Sequence, residues 1–353
     1  MSYKPSRVAE SSVHFRSSPR ILILRGGALG DFVVTLPALG LLRARWPDSR
    51  IELVGNAVAA QLAVDRHYLD AAHAQGDARW SRLGRGDLEC DAAMSAWLRT
   101  FDLVINYWPD RDGAIAADFA RIGFSSIGTD SDCRDDRGIR EDAIRRRWFI
   151  THPAHPNVGP AAAHYCAALA PLGLQTRDFA TPLRPSPADH EAATALLPAT
   201  EQPRVAWHPG SGSPGKIWPR EKWRDVLRSL PSHQLVVVSG PAEEPLEDFP
   251  ADGILLRQVP PPVLAAVFTR CALFLGHDSG PAHVAAATGC PCVVVFGPTD
   301  PAIWAPPYPH VTALRAGCRT EDTRAADVRA AANAILSRPH PVGPARPAAA
   351  SPG

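Results

Sequence analysis

Short apolar runs alternate with longer stretches of helical period along most of the chain. "RILIL" (20–24), "IELVG" (51–55) and "FDLVINY" (101–107) read as buried strands, and "DFVVTLPALGLLRARW" (31–46) reads as a helix between the first two. Another helix is expected near 159–172. From residue 204 the alternation restarts with strands "RVAWHPG" (204–210), "QLVVVSG" (234–240), "GILLRQV" (253–259), "ALFLGHD" (272–278) and "PCVVVFG" (291–297). Helices follow from Pro219, from Pro261 and after "HDSG". Apolar runs of this length separated by helices predict parallel sheets with helices on both faces. Two doubly wound α/β domains in tandem is the economical architecture. Ligands in such sheets lie beyond the carboxyl ends of the strands, so a cleft between two facing domains is the expected site.

The polar residues 1–19 read as a flexible leader and 20–177 as the first domain. A proline-spaced stretch, 178–203, reads as the link, 204–337 as the second domain, and the Pro/Ala segment 338–353 as a disordered tail. The charged patch "DSDCRDDRGIREDAIRRR" (130–147) is expected to be a surface loop running into a helix.

Composition narrows the function. At 353 residues, with 45% hydrophobic and 21% charged, the chain can bury two ordinary cores. A net charge of +1 offers no field for nucleic acid, so no nucleic-acid partner is expected. The seven cysteines are odd in number and scattered, and Cys290 and Cys292 point to opposite faces of a strand. That is neither a metal pair nor a disulfide framework, and it favours a reducing compartment. No apolar signal core opens the chain, and no apolar stretch approaches the ~18–20 residues that span a bilayer. A cytoplasmic protein is expected, with room for peripheral contact with the inner membrane face.

"LRGGALGDFVVTLPAL" (24–39) carries the first candidate chemistry. The dinucleotide pattern G-x-G-x-x-G would need glycine at 25, 27 and 30, and position 25 is Arg. The acid expected on the ribose would be Glu52, which lies inside a strand rather than at its end. What the loop does provide is a permissive backbone and a carboxylate, Asp31, at a helix start where the dipole favours negative charge. Asp31 as a plain helix cap, worth about 1 kcal/mol, fits the same residues.

"FLGHDSGPAHVAAATGCPCVVVFGPTDP" (274–301) is the most informative segment. A strand ends at Gly276, and "HDSG" turns the chain into a helix near Gly280, with Pro281 in its first turn and Gly289 at its end. The N–H groups of Ser279, Gly280 and Ala282, with the helix dipole, would form an anion site suited to a diphosphate. Ser279 and His283 are four apart and share one helix face. "WHPGSGSPGKIWPREKW" (207–223) adds a Gly/Ser loop whose amides and Lys216 would surround phosphate oxygens. It is not a P-loop, because Ile217 stands where Ser or Thr is required. "VVVSGPAEE" (236–244) puts Glu243 and Glu244 just past a strand, where either suits the hydroxyls of a ribose. Two metal-like patterns are read as structural: Asp130–Asp132 within the charged patch, and His152 and His155 in the extended "THPAHP".

Together, Arg-x-x-x-x-Gly-Asp before "TLPAL", "HPGSGSPGKIWP", and "DSGPAHVAAATGCPCVVVFGPTDP" resemble family 9 glycosyltransferases, the heptosyltransferases of lipopolysaccharide core assembly. The likeness is ordered from about residue 20 to 337. It implies a GT-B fold: two facing Rossmann-like domains, the acceptor on the first and the sugar nucleotide on the second. Carried over by motif, the catalytic carboxylate is Asp31, and the phosphate-binding lysine is Lys216 beside Gly210 and Ser211. The ribose acid is Glu243, and the diphosphate and sugar loop is Asp278, Ser279, Gly280 and His283. Arg25 and Gly30 stand nearest an acceptor. The resemblance implies inverting transfer, most often from ADP-heptose, to a glycan or lipid-linked glycan, with no cofactor and no metal. A sugar-nucleotide epimerase of the same fold, or a non-catalytic nucleotide-sugar-binding partner, is the alternative.

Overall fold

The computed structural model describes residues 15–127, 134–135, 138–139, 147–153, 155–156, 158–240 and 253–338. The chain divides into two compact units, one running to Leu183 with Ala302–Pro307 added, the other Arg184–Pro301 continued from Tyr308.

The first unit is built on a six-stranded sheet. Its strands are β1 (Ile21–Arg25), β2 (Ile51–Gly55), β3 (Ala71–Ala74), β4 (Leu103–Asn106), β5 (Phe124–Ser126) and β8 (Arg147–Thr151). They lie in the order β3-β2-β1-β4-β8-β5, and every pair is parallel. Ile21–Leu24 is buried along its whole length, as a strand covered on both faces must be. Leu22 and Leu24 meet Phe101, Phe119 and Phe149 on one side. Two short strands, β6 (Arg134–Asp135) and β7 (Gly138–Ile139), pair antiparallel inside the charged patch that reads as a loop. The rest of that patch up to residue 146, Asp130–Asp132 included, lies outside the described residues.

The helix expected over 31–46 is two helices, Leu29–Val33 and Leu36–Arg45. Pro37 has no N–H to give the Val33 carbonyl, so the helix cannot run through. The Thr35 hydroxyl caps the break by donating to the Asp31 carbonyl at 2.8 Å. The leader also differs from expectation where it is described. Phe15 packs edge-on against Trp46, and Arg16 donates to Asp102 at 2.8 Å. Residues 1–14 and 339–353, which hold the rest of the leader and nearly all of the tail, lie outside the described residues.

The second unit repeats the plan with β9 (Arg204–Trp207), β10 (Gln234–Ser239), β11 (Ile254–Arg257), β12 (Leu273–His277), β13 (Cys292–Val295) and β14 (Val311–Leu314). All pairs are parallel in the order β11-β10-β9-β12-β13-β14. That is the dinucleotide-fold order 3-2-1-4-5-6, with a switch point between β9 and β12. In the first sheet the equivalent switch point is between β1 and β4, and the last two strands are exchanged. Trp218, Trp223, Val293 and Val295 pack with Val328 and Ala332 of the helix Ala325–Leu336 to form the core of one face. The stretch 178–203 read as a link is divided after Leu183, and its helix Pro187–Leu196, opened by a capping box between Ser186 and Asp189, belongs to the second unit. Among the described residues no helix is long and apolar enough to cross a membrane.

Candidate active site

In the first unit, β1 ends at the sheet's switch point and hands the chain to Gly26–Ala28. Gly27 has φ +104°, and a Cβ there would sit 2.6–2.7 Å from the Asp31 side chain. Only glycine lets the backbone take this turn and leaves the space for a carboxylate. Asp31 Oδ2 accepts the Ala28 N–H at 2.8 Å, and Oδ1 accepts from Arg25 Nη2 at 3.1 Å. The Asp31 side chain is 30% exposed, its Arg25 partner 5%. Arg25 also donates to Thr35 Oγ1 and to the Tyr165 hydroxyl, and lies over the Tyr165 ring. It is therefore a buried strut behind Asp31, not the acceptor-facing cation expected for it. Gly30 is half-buried in the short helix Leu29–Val33, where its carbonyl takes the Val34 N–H. That helix is five residues long, so direct contacts rather than a long helix dipole hold the carboxylate.

Glu52 is closed to a ribose. Its oxygens accept from Arg20 at 2.7 Å and Arg50 at 2.8 Å and contact His73 at 2.8 Å. Burial pushes its carboxyl up, but His73, Arg50 and Arg20 together hold it down at about 2.

In the second unit, the loop after β9 and the end of β12 meet. Lys216 Nζ donates to Asp278 Oδ2 at 2.7 Å, with the lysine side chain 27% exposed and the aspartate 6%. His283 Nε2 stands 3.9 Å from Asp278 Oδ1, too far for a hydrogen bond. Burial raises the Asp278 carboxyl, and the His283 imidazole and the Lys216 ammonium outweigh it and hold it at about 2. The Ser211 hydroxyl donates to the Asp278 carbonyl at 3.1 Å, and buried Gly210 lies beside it. Ser279 is the N-cap residue of the helix Gly280–Ala287, but its hydroxyl meets His208 Nδ1 at 3.2 Å instead of capping.

The anion site expected there is smaller than the sequence suggests. The Ala282 N–H is spent on the Ser279 carbonyl at 3.1 Å, because the first turn closes tightly. The N–H groups of Ser279 and Gly280 have no hydrogen-bond partner among the described residues. His283 is 4% exposed, packed behind Asp278 instead of presented on an open face. Thus Gly210, Ser211, Lys216, Asp278, Ser279, Gly280 and His283 come together, and Asp31 and Arg25 form their own pair in the other unit. Glu243 and Glu244 lie outside the described residues. Among the described residues no group of three or more His, Cys, Asp or Glu is placed to hold a metal ion; the His152 ring packs tilted against His164, centroids 4.4 Å apart.

The family model for glycosyltransferase family 9 (heptosyltransferase) matches residues 145–330, more than half of the chain. The chain belongs to glycosyltransferase family 9. This makes it a glycosyltransferase. It is 25% identical over 292 residues to "Lipopolysaccharide heptosyltransferase 3" of Escherichia coli, covering 78% of this chain and 83% of that one. Two solved structures share its fold. The glycosyl transferase family 9 structure from Veillonella parvula aligns with a TM-score of 0.69 at 20% identity, covering 90% of this chain and 97% of that one. The E. coli ADP-heptose lps heptosyltransferase II gives 0.65 at 18%, covering 90% and 98%. The fold is GT-B, with two parallel-sheet Rossmann-like domains.

The motifs assign no role to several residues that shape the site of this family 9 glycosyltransferase. His277 is fully buried at the end of β12 and bridges the two ends of the Lys216 loop. Thr320 Oγ1 donates to the Ile217 carbonyl at 2.9 Å, across 103 residues of sequence. Gly297 leaves the room for this approach, since a Cβ there would lie 2.5 Å from the Thr320 nitrogen. Only a polar residue at the end of an otherwise apolar strand, "LFLGH", hinted at His277.

Proposed function

We propose that the protein transfers a sugar, a heptose from ADP-heptose, to a lipopolysaccharide-core or related glycan acceptor, inverting the anomeric centre without a metal. The observation that carries this reading is a pair of opposite devices. Asp31 is a partly exposed acid braced by a buried arginine, and Lys216 is a partly exposed cation braced by a buried aspartate.

In the proposed reaction the acceptor hydroxyl oxygen forms a bond to C1 of the donor sugar while the bond from C1 to the diphosphate oxygen breaks. The hydroxyl proton passes to Asp31, whose Oδ atoms keep lone pairs beyond those given to Ala28 and Arg25. Negative charge gathers on the departing diphosphate. The Lys216 ammonium keeps one N–H on Asp278 and has two more for phosphate oxygens, and the Ser279 and Gly280 N–H groups stand beside it. These interactions strengthen as the leaving group becomes more charged, so they favour the transition state over bound donor. Glu243 is assigned the ribose hydroxyls by its place after β10. A lipid-linked acceptor would have the enzyme work at the inner membrane face.

A thermal-shift titration with ADP, GDP, UDP and NAD, first without metal and then with magnesium, tests the donor site. A rise selective for ADP and lost in Lys216→Ala is expected, followed by heptose transfer in the presence of EDTA. A rise with NAD alone, or transfer abolished by EDTA and restored by a divalent ion, overturns the reading.

A further inference from the structure

We propose that His277 is a positioning residue for the donor loop. Its neutral imidazole, protonated on Nδ1, fastens both ends of segment 210–218 and so sets where Lys216 stands. The inference rests on the donor-site reading of Lys216 given above.

The tautomer follows from the partners. His277 Nδ1 lies 3.1 Å from the Gly210 carbonyl, which can only accept, so Nδ1 carries the proton. Nε2 lies 2.9 Å from the Trp218 backbone N–H, which can only donate, so Nε2 is the bare acceptor. The Trp223 indole N–H points at the same lone pair from 3.1 Å, and its ring packs edge-on against the imidazole. An imidazolium would set an Nε2 proton against two N–H groups, so this geometry takes only the neutral ring.

Between the two tethers the Ser211 hydroxyl donates to the Asp278 carbonyl and the Ile217 carbonyl accepts from Thr320, while the glycines stand open. A side chain at Gly212 or Gly215 would meet no atom within 4 Å. Lys216 projects from a single short turn, Pro214–Lys216, two residues before the Trp218 tether. The same strand end supplies His277 as the clamp and Asp278 as the counter-charge, so the ammonium is fixed against one rigid element. Without the imidazole, the Trp218 N–H and the buried Gly210 carbonyl lose these partners. An apolar residue of similar size could fill the space against Trp223 but could not hold the loop.

Two conservative changes separate the two tethers. In His277→Asn the amide NH₂ takes the Nδ1 place and keeps Gly210, with nothing to accept from Trp218. In His277→Gln the side-chain oxygen reaches the Nε2 place and keeps Trp218. With ADP as the probe on the full chain, His277→Asn is expected to bind about tenfold more weakly, and His277→Gln within about threefold of the parent. The donor KM should rise in His277→Asn, and kcat should fall with it because Lys216 also meets the departing diphosphate, while the acceptor KM holds. A fall in kcat with unchanged donor KM, or equal ADP affinity in all three proteins, overturns the proposal. Nitrogen-15 spectra of the unmodified protein near neutral pH should show one tautomer, protonated at Nδ1. An Nε2–H tautomer or an imidazolium there would also overturn it. Hydrogen exchange at the Trp218 amide, read without ligand, should quicken in His277→Asn and not in His277→Gln; no change overturns the clamp. If the unmodified protein binds no nucleoside diphosphate, the donor reading falls, and the spectra and exchange rates still decide the tether.

Discussion

The two units solve one problem with opposite signs. At the end of β1 the more exposed partner is an acid, Asp31, and the buried partner is Arg25. Where β9 and β12 end, the more exposed partner is a cation, Lys216, and the buried one is Asp278. In both, the hidden ion costs desolvation and keeps its charge only because it is paired and hydrogen-bonded. The supports differ. Arg25 spends three further bonds on Thr35 Oγ1, Tyr165 and the Asp31 carbonyl, so Asp31 is braced through one planar fork and one backbone amide. Lys216 sits on an open glycine loop tied down at its ends. A proton acceptor needs a set position, whereas a phosphate-binding cation can move to meet its ligand. The fold holds one carboxylate in a set position and one cation on an open loop, as the proposed reaction requires.

The comparison is broken most sharply at Asp31. Asp31→Asn should lower transfer by roughly a hundred- to ten-thousandfold, with melting temperature and ADP affinity unchanged. A loss of stability in step with activity would reduce Asp31 to a cap. Lys216→Ala should weaken ADP binding by roughly ten- to a hundredfold, the value of a few charge-assisted hydrogen bonds, as isothermal calorimetry would show. Unchanged affinity would place the diphosphate elsewhere.

The glycines sharpen the contrast in support. Gly27→Ala forces φ +104° on a residue with a Cβ and drives that Cβ into Asp31, so it should cost about 1–3 kcal/mol and much of the activity. Gly215→Ala meets open space and should leave the denaturation midpoint within about 0.5 kcal/mol of the parent. Equal costs at the two sites would erase the difference between a braced loop and an open one. Acid denaturation tests the buried aspartate. The Asp278 carboxyl, ordinarily near 3.8, is held at about 2 in the fold, so its contribution is complete above 3.8 and fades as pH falls toward 2. That contribution is about 2 kcal/mol. The stability gap between the parent and Asp278→Asn should therefore be widest near neutral pH and close between pH 3.8 and about 2.

Much of the fold was legible along the chain. β1, β2, β4 and all the second-unit strands but β14 are apolar runs, and those buried on both faces, such as β1 and β13, announce themselves by composition alone. β3, "AAHA", and β5, "FSS", lack that signal because they are short, partly exposed edge strands. The break at Thr35 was missed because a helical pattern continues across it, although Pro37 is in plain sight. At the site, Asp31, Lys216 and Asp278 stand in motifs, but nothing along the chain tells that Arg25 and His283 are buried. A charged residue looks solvent-facing until its neighbours in space are known.

The sequence by itself determined the α/β class, the two-fold repetition and the family, because strand and helix periods and motif order are local properties of the chain. The tertiary structure alone decided which charges are hidden and which are offered. Arg25 meets Tyr165 across 140 residues, Lys216 meets Asp278 across 62, and His277 reaches Gly210 across 67. Burial and pairing set the state of each of these groups, and both depend on what folding brings from far along the chain.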